Sequence, residues 1–132
     1  MREIEKAGMN DLEETYFFDT YAFLEIINGN SNYAKYRDVG IVTTVFNIAE
    51  LNYNLKKEMD KSSADGISQK YWGSVVEILF EDLIKAMDLK IKHRDLSIPD
   101  VIGYVVAERL GVKFLTGDQG FEDFDNVAYV KK

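Results

Sequence analysis

A chain of 132 residues is the size of one domain and long enough to close a single core, which argues against two independent domains. With 46% hydrophobic and 13% aromatic residues and no low-complexity tract, a disordered or fibrous protein is excluded. The lack of cysteine excludes disulfides and thiolate metal sites, and a single histidine excludes a His-rich zinc site, so any metal must be held by oxygen. The formal net charge of −7 argues against a nucleic-acid binder that works mainly through a basic surface.

Residues 1–14 are polar and acidic, show no clear period and do not resemble a signal peptide; with Met9 as an alternative start, they read as an N-terminal extension ahead of a domain over 15–132. No apolar run approaches the roughly 20 residues needed to span a bilayer, so a cytoplasmic protein without membrane association is expected.

Tyr16 to Phe18 read as a buried strand ending at Asp19-Thr20, and the apolar residues Ala22, Phe23, Ile26 and Ile27 then recur at helical spacing up to the stop at Gly29. Ser31 to Asp38 predict a second short helix and Gly40 to Thr43 a second strand, which delivers the chain to a helix carrying Glu50. In that helix Ile48, Leu51, Leu55 and Met59 share one face, whereas Glu50, Asn54 and Lys57 share the opposite one. Lys61 to Gly66, KSSADG, reads as a loop, and Ile67 to Met87 as one long scaffold helix with Trp72, Val75, Val76, Leu79, Leu83 and Met87 inward. A short strand, LKI, then leads into a basic cluster of Lys90, Lys92, His93 and Arg94. Ser97 can cap the next helix, Pro99 sits in its first turn, and Ile98, Ile102, Val105, Val106 and Leu110 form its apolar stripe before Gly111 ends it. Strands at Lys113 to Leu115 and Val127 to Val130 close the chain. Strands alternating with helices imply a largely parallel sheet of about four to five strands, covered by helices on both faces in three α/β/α layers.

Four acids stand out by position. Asp19 and Asp118 follow strands, Glu50 lies within two turns of a strand end, and Asp100 opens a helix; in an open parallel sheet, ligands bind beyond the carboxyl ends of the strands. Each acid also has a structural explanation. Asp19 can cap a helix, Asp118 can form a turn beside Gly117, Glu50 can be a solvated charge, and SIPD fits a capping box with Asp100 in place of the preferred Glu or Gln. If all four converge, their mutual repulsion calls for a cation, and oxygen-only ligands select Mg²⁺ or Mn²⁺. Asp123 and Asp125 crowd Asp118, which leaves open whether Asp118 or Asp123 completes the set.

The segments YFFDTYAFLE, TTVFNIAELNY, LSIPDVIGYVVAERLGVKFLTGD and FEDFDNVAYV together resemble the PIN domain family, and within it the small VapC-type toxin ribonucleases. That resemblance implies a PIN-like fold with a twisted sheet and endonucleolytic cleavage of RNA phosphodiesters dependent on Mg²⁺ or Mn²⁺. Asp19, Glu50, Asp100 and Asp118 would hold the metal; Thr20 and Thr116, with Asp123 as a further accessory, would orient ligands or water. It also implies a homodimer and a small antitoxin protein that drapes an apolar segment over the acids. Gly103 and Tyr104 stand where the family usually has small alanine-like residues.

For RNA contact, Asn54 and Lys57 share a face with Glu50, and the Lys90 to Arg94 cluster can add charge, although a basic run is commonly a solvated surface. Tyr33, Tyr36, Tyr53 and Trp72 can stack bases or fill packing positions. The competing reading is a catalytically inactive PIN-like module that binds a protein partner, its acids serving as caps and turns. A phosphatase of the haloacid dehalogenase type would want Asp-x-Asp at the first strand, where this chain has Asp19-Thr20-Tyr21.

Overall fold

A computed structural model describes residues 14–131, so the extension assigned to 1–14 lies, apart from Glu14, outside the described residues. The chain runs β1 (Thr15–Phe18), α1 (Thr20–Ile27), a 3₁₀ turn (Ser31–Tyr36), β2 (Gly40–Val42), α2 (Val45–Lys56), α3 (Lys61–Trp72), α4 (Phe80–Lys92), α5 (Ile98–Leu110), β3 (Lys113–Thr116), a short 3₁₀ turn (Gln119–Phe121) and β4 (Val127–Tyr129). The four strands lie in the order β2-β1-β3-β4, and every pairing is parallel.

Alternation along the strands sends neighbouring side chains to opposite faces. Phe17 and Phe114 enter one core with Ala86, Val101, Ile102, Val105 and Val106, whereas Phe18 and Leu115 enter the other with Ala22, Phe23, Ile48, Leu51 and Leu55. The sheet is thus sandwiched by α4 and α5 on one side and by α1, α2 and α3 on the other, which is the expected three-layer architecture. Tyr33 and Tyr36 belong to the second core and are buried, so they are packing residues. No helix among the described residues is long and apolar enough to cross a membrane.

The middle of the chain departs from its sequence pattern. KSSADG is the first half of α3, not a loop: the Asp60 carboxylate accepts hydrogen bonds from the Ser63 backbone N–H (2.9 Å) and the Ser63 hydroxyl (2.8 Å), and Asp65 pairs with Lys56 and Lys61. A polar run reads as a loop when its caps and ion pairs are not visible as such. The long helix expected over Ile67 to Met87 is broken between Trp72 and Phe80. Val75 bridges Thr43 in parallel fashion, with Thr43 N–H donating to the Ser74 carbonyl (3.0 Å) and Val76 N–H donating to the Thr43 carbonyl (2.9 Å). Pairing with the sheet edge overrides helical periodicity there, which leaves Trp72 and Leu79 exposed rather than inward. The expected LKI strand is the last part of α4, and Ile98, counted in the apolar stripe, is exposed.

Helix α5 comes very close to the sheet. A Cβ built on Gly103 would stand 2.8 Å from the Phe17 ring and 3.2 Å from the Phe114 ring, and those rings stack at 5.4 Å. Its neighbour Tyr104 packs edge-on against Phe114 and donates its hydroxyl to the Asp125 carbonyl (2.6 Å). Gly103→Ala gains about 1 kcal/mol of helix propensity but overpacks a rigid aromatic contact at ~1–3 kcal/mol, so the variant should melt lower, by up to several degrees. A thermal melt equal to or above wild type would show that the close approach is not constraining.

Candidate functional site

The carboxyl ends of β1 and β3 lie side by side because Phe18 is in register with Leu115. That register brings Asp19, the residue after β1, to Thr116, the last residue of β3. Asp19 is only 2% exposed. It caps α1 by accepting from Ala22 N–H through Oδ1 (2.8 Å), and its Oδ2 accepts a short hydrogen bond from the Thr116 hydroxyl. The same hydroxyl accepts from the Asp118 N–H (3.0 Å), and Asp118 in turn accepts from Gly120 N–H (2.9 Å) to cap the next 3₁₀ turn.

Glu50 reaches the site from α2. Thr20 donates to its Oε1 at 2.8 Å and accepts from the Asn47 amide at 3.3 Å, while Thr44 donates to the Asn47 carbonyl oxygen at 2.7 Å. Asn47 is 1% exposed, a buried amide that sequence reasoning missed. Its signal was a polar residue on the Leu51 and Leu55 stripe of α2. Asp100 completes the capping box expected from SIPD: its N–H donates to the Ser97 hydroxyl (3.2 Å), and its carboxylate accepts from the Ser97 N–H (3.3 Å).

Asp19, Glu50, Asp100 and Asp118 line one cavity of about 320 Å³, together with Thr20, Tyr21, Leu24, Asn54 and Ser97. Asp123 is exposed and does not line it. Lys57 is also exposed, its ammonium 4.7 Å above the Tyr53 ring. Asn54 is on the wall and donates to the Glu50 carbonyl (2.8 Å). Two members of the basic cluster are occupied elsewhere: Lys90 donates to the Arg94 and Leu96 carbonyls, and the His93 ring packs on Phe124.

Burial pushes the Asp19 carboxyl up to about 7, against the hydrogen bonds from Thr116 and Ala22, and the charges of Asp100 and Asp118 add to the rise. Burial also raises Asp100, opposed by its Ser97 hydrogen bonds and reinforced by Asp118 and Glu50. The four acids therefore share a field that disfavours their joint ionisation. Among the described residues no three such side chains are already gathered closely enough to hold a metal ion, because each acid leans toward its own hydrogen-bond donor. The donor set itself, all oxygen and electrostatically strained, suits a hard divalent cation.

A family model described as "PIN domain" matches residues 16–127. The chain belongs to the PIN domain family. Among solved structures, this PIN domain is similar to a chain of a toxin-antitoxin complex from Klebsiella pneumoniae, with a TM-score of 0.69 and 14% identity over 86% of this chain and 95% of that one. It is also similar to a chain of VapBC2 from Rickettsia felis bound to a DNA fragment from their promoter, with a TM-score of 0.67 and 14% identity over 89% and 98%. At such identity the likeness establishes the fold. No curated protein matches the chain in sequence.

The raised Asp19 pKa has a directional consequence for stability. A carboxyl whose pKa is higher folded than unfolded stabilises the fold while protonated, so its contribution is complete below about 4 and is lost as the pH rises through about 7. In metal-free protein, the melting temperature of wild type relative to Asp19→Asn should therefore fall as the pH is raised from 5 to 8. Parallel pH profiles of the two proteins, measured by thermal denaturation, would contradict this assignment.

Proposed function

We propose that this PIN domain is a divalent-metal-dependent endoribonuclease that cleaves RNA phosphodiesters, and that it acts as the toxin of a toxin–antitoxin pair. The observation that carries this reading is the meeting of four carboxylates from four separate segments in one cavity at the strand ends. PIN domains are generally nucleases, and both structural relatives come from toxin–antitoxin assemblies.

In this reading Asp19, Glu50, Asp100 and Asp118 hold Mg²⁺ or Mn²⁺. The bound metal would lower the pKa of a water and neutralise charge that develops on the phosphodiester. The residues of the chain do the positioning. Glu50, Asp100 and Asp118 each commit one oxygen to a local donor and keep the second for a cation, while Thr116 fixes Asp19 and Thr20 fixes Glu50. The buried Thr44–Asn47 pair sits behind Thr20 and restricts its hydroxyl. Asp123 is at most an outer accessory, and Asn54 is better placed than Lys57 to meet substrate.

The competing reading, an interaction module that cleaves nothing, draws on the fact that each acid already has a local hydrogen-bond partner. Asp100→Asn separates the two readings, because asparagine can still serve the Ser97 cap. Under the nuclease reading, Mn²⁺ raises the melting temperature of wild type by mass action. The variant should lose most of that rise, together with Mn²⁺-dependent RNA cleavage, while keeping its fold by circular dichroism. Cleavage undiminished in Asp100→Asn would refute the assignment, and absence of both Mn²⁺ responses in wild type would favour the module.

For the homodimer, α4 offers a matching surface. Phe80, Ile84 and Ile91 are 72%, 49% and 70% exposed, and with the partly buried Met87 they are spaced four, three and four residues apart on one stripe. Two copies of α4 packed antiparallel about their midpoints would place Phe80 beside Ile91 and Ile84 beside Met87. Pairing of this kind is self-complementary, as a two-fold interface requires. Ile84→Asp should convert the dimer to a monomer in analytical ultracentrifugation; a variant with unchanged mass would place the interface elsewhere.

A further inference from the structure

Beside the acid cavity lies a second one of about 410 Å³, lined by Tyr21, Gly117, Asp118, Gln119, Tyr129 and Lys131. The two share Tyr21 and Asp118, so a chain whose phosphate sits among the acids has its neighbouring base within reach of the second cavity. We infer that this cavity is a nucleobase subsite, in which a base of the single-stranded substrate stacks on Tyr129 and is read along its edge by Gln119. The inference rests on the ribonuclease reading of the adjacent acids.

Three observations support it. First, the aromatic residues here differ from those of the core. Tyr33, Tyr36 and Tyr104 are buried among other rings, whereas Tyr21 is 44% exposed and Tyr129 is half-buried on the edge strand, with both lining open space. Every base has a π-face, which makes an aromatic platform the usual means of holding single-stranded nucleic acid.

Second, the platform is held in place. Val130 N–H donates to the Thr116 carbonyl (2.9 Å), the Tyr33 hydroxyl donates to the Val130 carbonyl (2.8 Å), and the Asn32 amide donates to the Lys131 carbonyl (3.2 Å). The backbone that presents Tyr129 and Lys131 is therefore tied to β3 and to the 3₁₀ turn after α1. The Gln119 amide can both donate and accept, as recognition of a base edge requires.

Third, the charge pattern leaves stacking as the main source of affinity. Among the described residues lining the two cavities Lys131 is the one cation, in a chain of net charge −7. A single lysine can meet one phosphate next to the stacked base, too few contacts for binding dominated by counterion release.

Uncharged nucleosides test the subsite without the repulsion of the acids. Adenosine, guanosine, cytidine and uridine are titrated into metal-free protein and followed by two-dimensional NMR, with ribose as the control. At least one nucleoside should shift the Gln119, Tyr129 and Lys131 amide signals while ribose does not. Tyr129→Leu should weaken that binding at least about fivefold, the lower end of what one base–aromatic stack supplies, and Tyr129→Phe should keep it. Tyr21→Leu, on the surface at the start of α1, gives a second variant should Tyr129→Leu melt early, and it too should weaken binding. No nucleoside binding, shifts clustered elsewhere, or leucine variants that bind as wild type would each overturn the subsite. These outcomes separate from the parent reading. Cleavage lost in Asp100→Asn with nucleoside binding indifferent to Tyr129 removes the subsite alone, whereas nucleoside binding at Tyr129 without metal-dependent cleavage removes the nuclease alone.

Discussion

The structure depends on a carboxylate buried where a strand becomes a helix. Asp19 is almost wholly inaccessible, and burial of an acid is costly unless its oxygens are satisfied. One oxygen accepts from α1 and the other from the Thr116 hydroxyl on β3, so a single side chain joins β1, α1 and β3. The parallel register of Phe18 with Leu115 makes this possible, and a slip of one residue would send the wrong side chains to each face. Because Thr116 also receives the Asp118 N–H, the placement of a second acid follows from the first.

The other two acids reach the cavity by independent means. Glu50 is set by a relay of short polar side chains running from Thr44 through Asn47 to Thr20, and Asp100 by the reciprocal cap with Ser97. Each of these carboxylates thus serves a local structural role at the wall of the cavity. In Glu50, Asp100 and Asp118 the local hydrogen bond occupies one oxygen and leaves the other without a partner in the cap. The electrostatic penalty of bringing the acids together is offset by two apolar cores, one on each face of the sheet.

Much of this was legible in the sequence, for identifiable reasons. YFFD, the cap at Ser97, Pro99 and the left-handed Gly111 are local signals, and the structure realises each of them. The middle of the chain was not legible, because its decisive contacts are distant in sequence. Val75 leaves a helical pattern to pair with Thr43, and the polar start of α3 is held by Asp60 with Ser63 and by Lys56 with Asp65. At the site, Asp19 and Asp118 could be picked out by their positions after strands, Asp100 by its place at a helix start and Glu50 by lying within two turns of a strand end. Asn47 was harder to read: it stands on the Leu51 and Leu55 stripe of α2, but the threonines that satisfy its amide come from outside that stripe, and Tyr33 and Tyr36, weighed as stacking residues, proved to be core.

The acidity of the chain, which counted against a nucleic-acid enzyme, takes on a different meaning in three dimensions. Two basic residues that could have offset it are engaged away from the cavity, Lys90 on the backbone carbonyls after α4 and Lys57 over Tyr53. The field at the strand ends is therefore set by carboxylates, and it adds to the rise that burial imposes on both Asp19 and Asp100. Such a field repels a phosphodiester until a cation reverses it, so for a nuclease built this way the metal is a condition of substrate entry as well as of bond cleavage. Binding of the substrate chain would then rely on groups indifferent to charge. Aromatic faces and amides at the rim meet that requirement, and a general basic surface does not.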